Sequence, residues 1–241
     1  MRLMLIGGGD VGRGNTTYET KIIDEEIVKM TEKAQPNFLF IGLASKFSDS
    51  YYDTMKKIYK QLGCECAYLK KKNILNNPDI VKNKIKTADI IYFCGGDTIK
   101  LINDLKGYQI DKLLSEAINE NTVIAGMSAG AIMLSKKGYS DALKLRDESD
   151  KYEFIEGLNY IDLTLCPHYH NDKRKELKAD LKGSKQKVIA LENGTALKAV
   201  DTNISVITSI DNAKAYFCHY EENKFNEHNI TNKNISIDDL K

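Results

Sequence analysis

The sequence predicts an α/β fold: a mostly parallel sheet with helices on both faces and short antiparallel strands added near the C-terminus. Three observations predict it. Short apolar runs, at residues 3–6, 38–43 and 90–93 among others, lack polar/apolar alternation, as strands covered on both faces do. Longer stretches with helical spacing separate these runs, which supplies crossover connections. Several runs end directly in glycine, where a chain can turn sharply at the carboxyl edge of a sheet.

The elements follow in order. Residues 3–6 read as the first strand. Residues 22–31 read as a helix, with Ile22, Ile23, Ile27 and Met30 at helical spacing. Residues 38–43 form the second strand, 51–62 a helix ending at Gly63, and 66–69 a third strand. Residues 79–86 are helical, and 90–93 form a strand stopped by Gly95-Gly96. Residues 110–118 are helical, and 123–125 form a strand stopped by Gly126. The pattern changes after about Tyr152. Residues 163–166 and 188–191 read as buried strands. Residues 196–200, 205–207 and 215–219 are short runs divided by Asp-Thr-Asn and Asp-Asn turns, which suits an antiparallel addition at the sheet edge. From Glu221 the chain is polar and Asn-rich. No repeat, linker or boundary divides it, so one domain over residues 1–241 is expected.

Composition excludes some functions. With 42% apolar and 29% charged residues the chain reads as an ordinary soluble protein. A net charge of +1 gives no electrostatic reason for binding nucleic acid or an anionic membrane. No run approaches the ~20 apolar residues that span a bilayer. The apolar start at residues 1–6 is short for a signal peptide, so a cytoplasmic location is expected. Five cysteines without a C-x-x-C pair read as reduced thiols and support no zinc ribbon.

Two loops are glycine-rich. Gly7-Gly8-Gly9-Asp10-Val11-Gly12 fits G-x-G-x-x-G after a strand, the context of a dinucleotide site. Against that, the next strand ends Leu43-Ala44-Ser45 with no acid for a ribose, and Arg13-Gly14-Asn15 delays the helix. The alternative is a tight turn that brings backbone to the sheet edge. The second loop, Cys94-Gly95-Gly96-Asp97-Thr98, can turn backbone N–H groups toward a ligand, as an oxyanion hole requires.

The strongest signal is Gly126-Met127-Ser128-Ala129-Gly130, a G-x-S-x-G between an apolar strand and an Ala/Ile/Met helix start. Such a turn projects the Ser128 hydroxyl above the sheet, and small neighbours let strand and helix approach. The Ala129 N–H then points where an oxyanion forms. A serine hydroxyl needs a base. His219 and His228 lie in surface-type sequence, whereas His168 and His170 follow a buried strand in Cys166-Pro167-His168-Tyr169-His170. His168 is the preferred base and His170 the second choice. A carboxylate that orients the imidazole is expected from Glu192, at a strand end, or from Asp141.

Taken in order, Gly95-Gly96-Asp97-Thr98, Gly126-Met127-Ser128-Ala129-Gly130-Ala131 and Cys166-Pro167-His168-Tyr169 resemble peptidase family S51, which contains dipeptidase E and cyanophycinase. The resemblance implies a flavodoxin-like, three-layer sheet similar to class I glutamine amidotransferases, with serine replacing their cysteine. It implies Ser128 as nucleophile, His168 as base, and an oxyanion hole from the backbone of Gly96 and Ala129. It further implies cleavage next to aspartate, with an arginine after the histidine holding the substrate carboxylate. Arg174 is the nearest match, at a shorter spacing. Where family members carry a glutamate after the late strand, this chain has Asn193, beside Glu192. Asparagine orients histidine in Cys-His-Asn proteases, so the orienter is Asn193, Glu192 or Asp141.

The expected function is therefore a serine-type peptidase acting on small peptides, including dipeptides with N-terminal aspartate, without metal or cofactor. A small peptide is the expected partner, with a homodimer admitted and neither nucleic acid nor membrane implied. The rival readings are a non-catalytic or regulatory module that keeps the sheet-edge pocket, and a nucleotide-dependent enzyme using the first glycine loop.

Overall fold

The computed structural model describes residues 1–169, 174–231 and 233–237. The first half alternates strand and helix: β1 (Arg2–Ile6), α1 (Lys21–Lys29), β2 (Asn37–Ile41), α2 (Ser48–Gln61), β3 (Glu65–Leu69), α3 (Lys71–Asn76), α4 (Pro78–Lys86), β4 (Ile90–Phe93), α5 (Thr98–Gly107), α6 (Ile110–Asn119) and β5 (Val123–Met127). The second half is richer in strand: α7 (Ala129–Leu134), β6 (Ser135–Ser140), α8 (Ala142–Leu145), β7 (Glu153–Glu156), β8 (Ile161–Pro167), α9 (Leu177–Asp180), β9 (Val188–Leu191), β10 (Thr195–Val200), β11 (Asn203–Thr208), β12 (Ala215–Glu221), β13 (Lys224–Asn229) and β14 (Asn234–Ser236).

Two sheets result. The first has the order β14-β11-β10-β1-β5-β4-β2-β3. Its run β1-β5-β4-β2-β3 is parallel, and β10, β11 and β14 extend it antiparallel. The unalternating apolar runs are its centre: every residue of β4 and β5 is buried. The register sets Ile6 opposite Met127 and Phe93 opposite Gly126, so the loops after β1, β4 and β5 open at one carboxyl edge.

The second sheet has the order β13-β12-β9-β8-β6-β7. Here the sequence reading needs correcting. The strands at 163–166, 188–191 and 215–219 exist, but they do not extend the first sheet. β8 pairs in parallel with β6 and β9, and β12 pairs with β9. The element that divides the sheets is α7. Its six residues are all buried, and it touches β1, β4 and β5 on one side and β6, β7 and β8 on the other.

The sheets are stitched together at the loop after β1. His168 N–H donates to Gly7 O at 2.9 Å, Gly7 N–H to Thr195 O at 2.9 Å, and Gly194 N–H to Gly8 O at 2.9 Å. The glycines of the first loop therefore form a seam that brings the carboxyl ends of β8 and β9 against the edge where β5 ends. Side chains at these positions have no room. A Cβ at Gly7 would lie against Leu191, and one at Gly8 against His168 and Asn193, both well inside the 3.0 Å that real Cβ contacts respect.

Candidate active site

The turn between β5 and α7 carries Ser128 with φ 51° and ψ −107°, a left-handed conformation that L residues rarely adopt. Three contacts hold it there. Ser128 N–H donates to Ile6 O at 2.9 Å, and its carbonyl accepts from Ile132 N–H at 3.0 Å. The third contact is between backbones. A Cβ on Gly126 would run into Gly130, and one on Gly130 would lie 2.7 Å from the Phe93 carbonyl oxygen. Both glycines of G-x-S-x-G are thus demanded by strand-to-helix contact. The serine is left half-buried at the rim of the sheet.

β8 delivers the candidate base, His168. Pro167 ends the strand, and His168 turns with φ 56°, fixed by its N–H bond to Gly7. Its Nε2 stands 2.9 Å from Ser128 Oγ, and its Nδ1 stands 2.7 Å from Asn193 Oδ1. An amide oxygen can only accept, so Nδ1 carries the proton. Nε2 then presents its lone pair to the serine hydroxyl, which donates. The arrangement sets the tautomer that proton removal from serine requires.

The loop after β4 closes the site on the other side. Gly95 faces Ser128, where an added Cβ would come within 3.3 Å of the serine Cβ. Gly96, at φ 143°, lies against the carbonyl of Ala44, to which Asp97 N–H donates at 3.0 Å. Asp97 caps α5 by accepting from Lys100 N–H at 2.8 Å, and its other oxygen accepts from Arg146 Nε at 2.8 Å. These bonds fix the backbone of the loop that carries Gly95 and Gly96. Ala129 supplies the first N–H of α7, which has no intrahelical acceptor by construction. The neighbouring thiol of Cys94 is pushed up to about 12 by burial, against the opposing pull of the Arg13 and Lys100 cations. It therefore stays protonated and is no rival nucleophile.

The remaining predicted residues are placed elsewhere. Glu192 turns outward, accepting from Lys214 N–H at 2.8 Å and Tyr216 OH at 3.2 Å. Asp141 faces Arg174 at 3.6 Å. Arg174 is enclosed, 2% exposed, with its guanidinium 4.1 Å over the Tyr152 ring and its Nε donating to Pro167 O at 3.1 Å. It braces the end of β8 from behind. His170 lies outside the described residues. His219 and His228 sit on the hairpin of β12 and β13, stacked on each other with ring centroids 5.6 Å apart. The G-x-G-x-x-G loop does not lead into a helix: α1 begins only at Lys21, and Gly8 is spent on His168 and Asn193. A cleft of about 440 Å³, lined in part by Tyr169, Glu192, Asn193 and Asp211, opens beside the asparagine.

Sequence reasoning missed two features of this neighbourhood. One is Gly8, whose signal was the triple glycine itself. The other is Arg13, which lies with its Cζ 4.7 Å from the centroid of the Tyr51 ring.

Known proteins share the sequence and the fold. The profile of Peptidase family S51 matches residues 3–207. The uncharacterized peptidase YgaJ of Bacillus subtilis is 27% identical over 221 residues, 89% of this chain and 90% of the relative. Peptidase E of Shewanella denitrificans is 24% identical over 220 residues, 86% of this chain and 87% of the relative. The crystal structure of a peptidase from an acI-B1 Actinobacterium superposes with a TM-score of 0.69 over 98% of this chain and 96% of its own, at 23% identity, which speaks for the fold alone. With the family's profile matched from β1 through β11, the chain belongs to peptidase family S51.

Proposed function

We propose that this peptidase is serine-type and hydrolyses small peptides through an acyl-enzyme on Ser128. One observation carries the reading: the unbroken chain Ser128 Oγ, His168 Nε2, His168 Nδ1, Asn193 Oδ1, with bonds of 2.9 and 2.7 Å. In the proposed mechanism Ser128 Oγ attacks the scissile carbonyl while Nε2 takes its proton. The N–H groups of Gly96 and Ala129 receive the oxyanion. The imidazolium returns the proton to the leaving amine, and water, deprotonated by the same nitrogen, releases the acyl group. Asn193 holds the ring by a dipole rather than a charge. In this reading Arg174 acts on the catalysis only through the end of β8.

Dipeptides are the favoured substrates, those with N-terminal aspartate among them. The likeness to proteins called peptidase E supports this. The test is a dipeptide library, Asp-X members included, offered to wild type, Ser128→Ala and His168→Ala. Turnover by wild type, lost in both variants, is expected. A wild-type chain that cleaves no member contradicts the proposal and favours a non-catalytic binding module, whereas cleavage that survives Ser128→Ala contradicts the role given to Ser128.

A further inference from the structure

The sequence holds four arginines, and three are committed to carboxylates: Arg2 to Glu32 at 3.2 Å, Arg146 to Asp97 at 2.8 Å and Arg174 to Asp141 at 3.6 Å. Arg13 has no carboxylate partner among the described residues, although Asp10 and Glu19 share its loop. The Glu19 carboxylate is spent on the loop itself, accepting from Asp10 N–H at 2.8 Å, while Glu19 N–H donates to Asp10 O at 2.7 Å.

The loop around Arg13 is built. Gly12 and Gly14 flank it at φ 73° and 60°, its carbonyl accepts from Thr16 N–H at 3.1 Å and Thr16 Oγ1 at 3.0 Å, and a bridge from Val11 to Tyr18 closes the base. The exposed guanidinium rests on the face of the buried Tyr51 ring. Stacking on an aromatic face leaves the N–H edge of an arginine free for other bonds. Tyr51 OH in turn donates to Met127 Sδ at 3.2 Å. Tyr51 thus links the guanidinium to Met127, the residue next to Ser128.

From this placement we infer that Arg13 receives a carboxylate of the peptide whose scissile carbonyl sits on Ser128. The inference rests on the reading of Ser128 as the site of peptide binding. A planar fork of N–H donors matches a carboxylate bidentately. Arg174 is enclosed and faces Pro167 and Asp141, whereas Arg13 is exposed on the first glycine loop. The carboxylate can come from the peptide C-terminus or from an acidic side chain, and the two sources are separable.

Calorimetry with the Ser128→Ala chain, which binds without turning over, makes the test. The probes are Asp-Leu amide, Asn-Leu and Asn-Leu amide, measured against Ser128→Ala alone and against the same chain with Arg13→Gln or Arg13→Lys. Arg13→Gln is expected to weaken a carboxylate-bearing probe about tenfold or more, with the neutral Asn-Leu amide unmoved and Arg13→Lys in between. Loss confined to Asn-Leu assigns the C-terminal carboxylate, and loss confined to Asp-Leu amide assigns the side chain. Equal binding with and without Arg13, equal loss for the neutral amide, or no binding of any carboxylate probe overturns the assignment. Turnover by the wild-type chain is read separately. A peptidase whose KM for acidic peptides ignores Arg13→Gln refutes this inference alone, whereas an inactive wild type whose Ser128→Ala form still binds through Arg13 refutes only the hydrolytic reading.

Discussion

At the scale of the residue, the site turns on which atom faces which nitrogen. Asn193 Oδ1 obliges His168 Nδ1 to hold a proton and so directs the lone pair of Nε2 at Ser128. Replacing Ser128 or His168 by alanine should lower kcat/KM at least about 10³-fold in a steady-state assay. Asn193→Ala should lower kcat roughly 10²-fold with KM little changed, because the ring loses its orienter but keeps its base nitrogen. Asn193→Asp, which still accepts from Nδ1, should recover much of that loss; equal damage from both substitutions would place the asparagine's role in packing instead. Gly8→Ala should also impair kcat, since the new methyl group meets the His168 ring and Asn193 Oδ1 together. The serine turn and the Pro-His pair were legible in the sequence because turn chemistry is local. The orienter was not, because Glu192 and Asn193 are neighbours in sequence and only the turn after β9 decides which faces inward.

At the scale of the element, the turn from β5 to α7 is held by backbone contact. Gly126 and Gly130 touch each other's chain segments, and Phe93 fills the space beneath. Gly126→Ala should cost about 1–3 kcal/mol by overpacking, read by urea unfolding, and should lower the expression of folded protein before it alters chemistry. An unchanged unfolding midpoint would mean that the helix can slide away from the strand. Most elements were readable from periodicity; α5 was not, although Asp97 as cap and buried Leu101, Ile102 and Leu105 spell its signal. The interior strand β6 was hidden by its composition. Ser135-Lys136-Lys137-Gly138 reads as a polar turn, yet Gly138 is needed where the strand crosses Ile132 of α7, and both lysines reach out to acids, Lys136 to Asp162 and Lys137 to Glu156.

For the whole molecule, two sheets meet at one edge, and the seam depends on the loop after β1. That loop is tied down by Asp24, fully buried, which accepts from Tyr18 OH at 3.0 Å, Thr20 Oγ1 at 2.8 Å and Tyr59 OH at 2.9 Å. Burial raises its carboxyl to about 6, and the three hydroxyl donors only partly offset this. An acid whose folded-state value lies above its unfolded value of 3.8 holds its proton more tightly when folded. Its contribution is complete below the unfolded value and is lost as pH rises through about 6. The stability of wild type relative to Asp24→Asn should therefore fall between pH 4 and pH 7 in parallel urea titrations; a difference that stays flat with pH would contradict the burial argument. The partition of late strands between two sheets was not legible in the sequence, because apolar runs state that a strand is buried and not which strand it pairs with.

All of this chemistry depends on Ser128 being a nucleophile activated by His168. The most direct measurement is labelling with a serine-directed fluorophosphonate, followed by mass spectrometry of the modified peptide. A single adduct on Ser128 is expected in wild type, absent in Ser128→Ala and strongly slowed in His168→Ala. An unlabelled wild type, or an adduct that persists when Ser128 is alanine, would contradict it.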